Sequence, residues 1–116
     1  MAFYDITPCP APRMTQSDRW KKRPCVLRYR AFRDEVRLKK VVIENGCHIT
    51  FFMPMPQSWS KKKKLEHTGA PHQTKPDLDN LIKAILDAIF EYDAHIYKLS
   101  AEKLWAEKGG IQVESL

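Results

Sequence analysis

KPDLDNLIKAILDAI, running from Lys75 to Ile89, is the most regular stretch of this 116-residue chain. Leu78, Leu81, Ile82, Ile85 and Ile89 recur at i, i+3, i+4, i+7 and i+11, which places them on one helix face. The spacing predicts a helix from about Asp79 to Phe90, with Asp77 and Asp79 where it begins. Working outward, Ala2 to Thr7 reads as a short strand with Tyr4 and Ile6 on one face, stopped by Pro8, Pro10 and Pro12, which cannot donate ladder hydrogen bonds. Arg13 to Lys22 has no clean period and reads as an exposed loop. From Arg28 to Lys40, Tyr29, Phe32 and Val36 fall on one helix face and Arg30, Arg33 and Arg37 on another. His48 to Met53 is β-branched and aromatic, ends at Pro54 and Pro56, and predicts a second strand. Gln57 to Lys75 reads as a basic excursion in which Ser58 or Ser60 caps a short helix over Lys61 to Leu65. After Asp93, Tyr97, Leu99, Ala101 and Trp105 alternate with polar residues as a strand, Gly109-Gly110 supply a turn, and Ile111 with Val113 begin the last strand. The fold class is therefore α+β: one domain, residues 1 to 116, with a small mixed sheet and two principal helices in the order β-α-β-(short α)-α-β-β.

Composition bounds the rest. At 43% hydrophobic the chain has apolar side chain for a single core, and a core of this size leaves association into an oligomer unsurprising. Twenty Lys and Arg against 14 Asp and Glu give +6. That net figure hides a split: residues 1 to 75 carry 16 basic and 6 acidic groups, whereas 76 to 116 carry 4 basic and 8 acidic. Cys9, Cys25 and Cys47 are odd in number and widely spaced, which supports neither a disulfide framework nor a zinc site, and free thiols fit a reducing cytoplasm. The amino terminus lacks a basic leader with an apolar core, and no run reaches about 18 apolar residues. Secretion and membrane spanning are not expected.

Asp77 and Asp79 sit two apart near a partly positive helix end. Two such oxyanions repel unless a cation lies between them, and a hard ion such as Mg²⁺, with Mn²⁺ as a substitute, is the common solution, with water and substrate phosphate completing its shell. The ion would polarise a phosphodiester and help generate hydroxide. Lys83, at i+4 from Asp79, could stabilise charge developing on the phosphate. The competing reading makes Asp79 a helix cap in a surface ion pair with Lys83 worth about 0.3–0.5 kcal/mol. Asp87 continues this face, and a salt bridge to Lys83 is favoured for it over metal ligation. Glu91 reads as a solvated helix-end residue and His95 as structural.

The run Lys75 to Ile89, followed by Tyr92-Asp93-Ala94-His95-Ile96 and a short carboxyl-terminal hairpin, resembles the RusA family of Holliday-junction resolvases. The resemblance implies a RusA-like homodimer, mostly phage-borne, using Mg²⁺ and no organic cofactor to cut four-way DNA junctions symmetrically during recombination and repair. It implies Asp77 and Asp79 as the first two metal-binding carboxylates, Lys83 as the helix lysine and Asp93 as the third catalytic carboxylate. Where the family commonly has an Asp-Asp pair, Tyr92 replaces the first. A helix over Asp79 to Phe90 is about 16 Å long, so Asp93 lies near its far end. Either Asp93 of one subunit approaches Asp77 and Asp79 of the other across a two-fold dimer, or the chain folds back to make the site within one subunit. The alternatives in function are a metal-dependent nuclease for other branched DNA and a junction-binding protein whose catalysis has lapsed.

The basic half supplies a surface for DNA. Arg13, Arg19, Lys21, Lys22 and Arg23 surround Trp20, and Lys61, Lys62, Lys63 and Lys64 follow Trp59, with Lys75 beyond. Each loop pairs phosphate-binding cations with an aromatic that either stacks on an unpaired base or belongs to the core or a dimer contact. Trp105, in the alternating strand, reads as core.

Overall fold

The computed structural model describes residues 1–12 and 24–115, in the order β1 (Ala2–Tyr4), α1 (Pro24–Leu38), β2 (Cys47–Pro54), α2 (Lys61–His67), α3 (Leu78–Ile89), β3 (Ser100–Ala106) and β4 (Gly110–Ser115). The predicted order of elements holds. The strands form one mixed sheet in the order β1-β4-β2-β3, antiparallel except for the β2–β3 pair. A parallel neighbour needs a crossover, and the excursion carrying α2 and α3 supplies it.

The two faces of the sheet differ. Ile49, Phe51 and Met53 of β2 join Ile111 and Val113 of β4 in a core shared with Phe32 and Val36 of α1 and Leu81, Ala84, Ile85 and Ala88 of α3. Burying an aliphatic side chain of this size contributes about 1.5–3 kcal/mol. Alternation along β2 turns His48, Thr50 and Phe52 to the opposite face. There His48 Nδ1 meets Ser100 Oγ at 2.7 Å, and the Phe3 ring lies 6.1 Å from that of Phe52.

Local chemistry corrects several boundaries. The helix predicted from Arg28 begins at Pro24, a residue whose missing N–H loses nothing in the first turn. It ends where Lys40 takes a φ of 53° and Lys40 and Val41 donate to the carbonyls of Arg37 and Val36, the Schellman closure of a helix end. Arg37 does not belong to a free basic stripe, because its Nε donates to the Ala88 carbonyl at 3.0 Å and ties α1 to α3. The first strand stops at Tyr4 rather than Thr7, although Ile6 beyond it is buried in the core. Tyr97 precedes β3 and is 82% exposed. Of the two serines offered as caps, Ser60 serves, accepting from Lys63 N at 3.2 Å.

Gly109 and Gly110 do more than turn the chain. Neither has a positive φ, but a Cβ on Gly109 would stand 2.9 Å from Thr7 Cα, and one on Gly110 would run into the Phe3 ring. The pair lets the amino-terminal segment lie against the hairpin. On the far edge of the sheet, residues 69 to 72 cover β3: Gly69 N donates to Trp105 O, Trp105 N to Ala70 O, and His72 N to Lys103 O. No helix among the described residues is long and apolar enough to cross a membrane.

Candidate active site

Helix α3 opens on the acidic pair. Asp77 is its N-cap residue, in extended conformation, with its backbone carbonyl accepting from Leu81 N. Its side chain does not cap the helix; it accepts from Lys75 Nζ at 2.9 Å. Asp79 stands in the first turn. Both carboxylates line a cleft of about 990 Å³, with Lys83 and Asp87 one and two turns along α3 and with Pro10, Pro12 and Tyr29 also in its lining. The Pro-rich arm is held there because Asn80 Nδ2 donates to the Ala11 carbonyl at 3.1 Å. Tyr29, whose hydroxyl donates to Ala84 O at 3.3 Å, joins α1 to α3 beneath the cleft.

Lys83 has taken the partner favoured for Asp87. Its ammonium lies 2.9 Å from Asp87 Oδ2, and no ion pair joins it to Asp79. Hydrogen bonding to Asp87, followed by that group's charge, raises the Lys83 pKa above its usual range, so the amine stays charged at neutral pH. Burial and the Asp87 charge raise the Tyr29 phenol in the same way, keeping it protonated.

Asp93 stands apart. It is half-buried in the segment between α3 and β3 and is not part of the cleft lining, though its charge contributes to raising Lys83. Among the described residues no three or more His, Cys, Asp or Glu side chains gather where a metal could be held. Two aspartates in one cleft fit a hydrated divalent ion, which commonly takes one or two carboxylates and keeps its waters. They do not make a three-carboxylate cage in a single protomer. The segment bearing Asp93 is nevertheless fixed: Asn45 donates through Nδ2 to His95 O at 3.0 Å and accepts from Tyr97 N at 2.8 Å. His95 meets the Phe90 ring edge-on at 4.9 Å, a packing role.

Of the residues expected to meet DNA, Arg13, Arg19, Trp20, Lys21, Lys22 and Arg23 lie outside the described residues. Lys61, Lys62 and Lys63 are exposed and Lys64 half-buried on α2, a helix with no buried residue of its own. Lys75 is exposed and paired with Asp77. Trp59 is not a free stacking platform. Its ring lies 4.9 Å from those of Trp105 and His67, and Lys63 Nζ sits 4.3 Å above it. Trp105, expected in the core, packs at its margin.

The family model described as endodeoxyribonuclease RusA matches residues 27–114. The chain belongs to the RusA family. The match runs from within α1 into β4 and so includes the whole of the Asp77 cleft's α3 wall. A curated relative, the uncharacterized protein YqaN of Bacillus subtilis (strain 168), is 33% identical over 73 residues, covering 56% of this chain and 51% of its own length. The chain thus spans about half the length of the curated relative it matches. No solved structure matches.

In this RusA-family chain the residues that sequence reasoning missed are those that hold the acidic segments. Lys103 Nζ donates to Thr74 O and to Pro76 O at 2.6 Å each. A signal was present: in the strand phase Leu99, Ala101, Lys103, Trp105, the lysine is the one charged residue. Beside it lies His72, 4% exposed, its ring 4.3 Å from that of Trp105 and its Nδ1 without a hydrogen-bond partner.

Burial, then the Lys103 charge, lowers the His72 pKa from an ordinary value of 6.5. The unfolded chain therefore takes up this proton first as pH falls, and stability rises with pH across the window just below 6.5. His72→Gln is expected to remove that part of the slope. Thermal unfolding of both chains at about pH 7.5 and about pH 5.5 checks it, since the histidine titrates between them; equal slopes would show that His72 does not titrate across folding.

Proposed function

We propose that this RusA-family domain is a metal-dependent endonuclease that acts as a homodimer on four-way DNA junctions and resolves them by paired symmetric nicks. The observation that carries the reading is the convergence of Asp77, Asp79 and Lys83 on one cleft at the start of α3. Asp77 and Asp79 would hold Mg²⁺ or Mn²⁺, with Asp93 of a second copy completing the set. When bound, the ion supplies polarisation of the phosphodiester and a lower pKa for bound water. Lys83 presents a permanent positive charge to the scissile phosphate, positioned by Asp87, and stabilises the charge that accumulates as the bond breaks. Lys61, Lys62 and Lys63, exposed along α2, track phosphates, which confers affinity and salt dependence without reading sequence. Two such sites related by a two-fold axis suit a substrate with two equivalent strands to cut.

A second reading, a junction-binding protein without catalysis, draws on Asp93 standing outside the cleft and on Tyr92, which is 79% exposed where a second acid would be. Incubation with a synthetic four-way junction, a linear duplex and a flap, each with Mg²⁺ or with EDTA, separates the readings. Paired symmetric nicks in the junction alone, dependent on Mg²⁺, are expected. Tight junction binding with no metal-dependent nicking would sink the enzymatic reading, and nicking of the flap instead would move the substrate to other branched DNA.

A further inference from the structure

We propose that Lys103 is a positioning residue of the cleft: from β3 it fixes the backbone on both sides of Lys75, and through that backbone the places of the Asp77 and Asp79 carboxylates. The inference rests on the reading that these two aspartates hold the divalent ion. Parallel pairing sets Ala101, Lys103 and Trp105 beside Ile49, Phe51 and Met53, so Lys103 projects on the core face of the sheet, next to a phenylalanine that is 1% exposed. Lys103 is half-buried there, and its ammonium needs acceptors for the water that it has given up. It finds the carbonyls of Thr74 and Pro76, three residues and one residue before Asp77, at 2.6 Å each. Charge-assisted bonds of this kind are short and about twice as strong as neutral ones.

The two bonds fall between two runs of backbone hydrogen bonds, where the Lys75–Asp77 ion pair and the Thr74 hydroxyl also act. Backbone hydrogen bonds tie residues 69 to 72 to β3, the last from His72 N to Lys103 O at 3.0 Å. The helical hydrogen bonds of α3 begin with Leu81 N to Asp77 O. Between them the chain crosses from the sheet edge to the helix, and the Lys103 ammonium bridges that crossing. Lys103 itself is anchored, because β3 pairs with β2 from Ser100 to Ala106. Support of this kind behind ligands commonly changes metal affinity or activity about 10–100-fold when it is removed.

The test compares wild type, Lys103→Met and Lys103→Arg. Met keeps most of the apolar stem and loses the charge; Arg keeps the charge and can bridge two carbonyls. Three readouts are needed: Mn²⁺ binding without DNA by electron paramagnetic resonance, four-way junction binding in EDTA, and single-turnover cleavage. Lys103→Met is expected to weaken Mn²⁺ binding and slow cleavage together, each about 10–100-fold, with junction binding in EDTA unchanged, and Lys103→Arg to recover part of both. A Lys103→Met chain that binds Mn²⁺ and cuts as wild type does overturns the inference. So does one whose junction binding in EDTA falls in parallel with cleavage, since that makes Lys103 a phosphate contact. If Lys103→Met does not fold, the ¹⁵N resonance of the Lys103 ammonium in the unaltered chain decides: it must shift as Mg²⁺ is titrated, and no shift overturns the inference. A wild-type chain that neither binds Mn²⁺ nor cuts would instead remove the metal-dependent reading, and this inference with it.

Discussion

Asp79→Asn is expected to lower Mg²⁺-dependent nicking of a four-way junction by about 10³-fold or more, while junction binding in EDTA stays level or tightens. The direction follows from charge. Asn keeps the volume and one carbonyl oxygen of Asp79 but removes the negative charge that would retain the ion. A bound metal is worth several kcal/mol of transition-state stabilisation, and about 4 kcal/mol corresponds to a factor of about 10³. The same charge stands in the cleft that is to receive a phosphate, so its loss removes a repulsion when no ion is present. The fold is not at risk, because Asp79 is exposed in the first turn and the apolar stripe of α3 is untouched. Gel-shift titration in EDTA and single-turnover cleavage in Mg²⁺ check the two halves separately. Cleavage and binding falling by the same factor would show Asp79 to be a structural cap or a DNA contact rather than a metal ligand.

Mixing subunits should give the second large effect. Asp77→Asn and Asp93→Asn homodimers are each expected to be inactive, and a heterodimer of the two to regain cutting at one of its two sites. α3 has 12 residues, about 16 Å from its first Cα to its last, and Asp93 lies beyond its far end. In the proposed dimer, with these helices antiparallel, Asp93 of one subunit would meet Asp77 and Asp79 of the other. In the mixed dimer one such set carries both substitutions and the other carries neither, so the intact set nicks one strand and the paired second nick does not follow. The product is a singly nicked junction, distinguishable on a denaturing gel from resolved duplexes. Were the site built within one subunit, every set in the mixture would carry one substitution and no activity would return.

These expectations lean unequally on sequence and on structure. Helix α3 was legible because Leu81 and Ile85, a turn apart, must both reach the same core, and because Pro76 and Asp77 leave little choice about where the helix starts. Asp77 and Asp79 were legible for the same reason: local spacing fixes them at one helix end. The strands and their succession along the chain could be read from alternation, and the end of β2 from Pro54 and Pro56, whereas β1 stops at Tyr4, short of its prolines. The RusA resemblance, carried by the Lys75–Ile96 run, is borne out by a family match that extends from residue 27 to 114.

Partnership was another matter. Helical spacing offers Lys83 either Asp79 or Asp87, both four residues away, and only the folded surface shows Asp87 chosen. Trp59 could have faced solvent or protein, and its place against Trp105 depends on two segments 46 residues apart in the chain meeting across the β3 edge. Arg37 looked like a member of a basic stripe until α3 brought the Ala88 carbonyl to it. Lys103 and Asn45, which hold the acidic segments in place, act through backbone carbonyls and amides, and those groups are the same at every position of a sequence. Periodicity along the chain therefore determined the elements and put the candidate acids on one of them. Tertiary structure alone decided which of the possible charge pairs form and which backbone groups the long side chains hold, because spacing along the chain leaves those distances open.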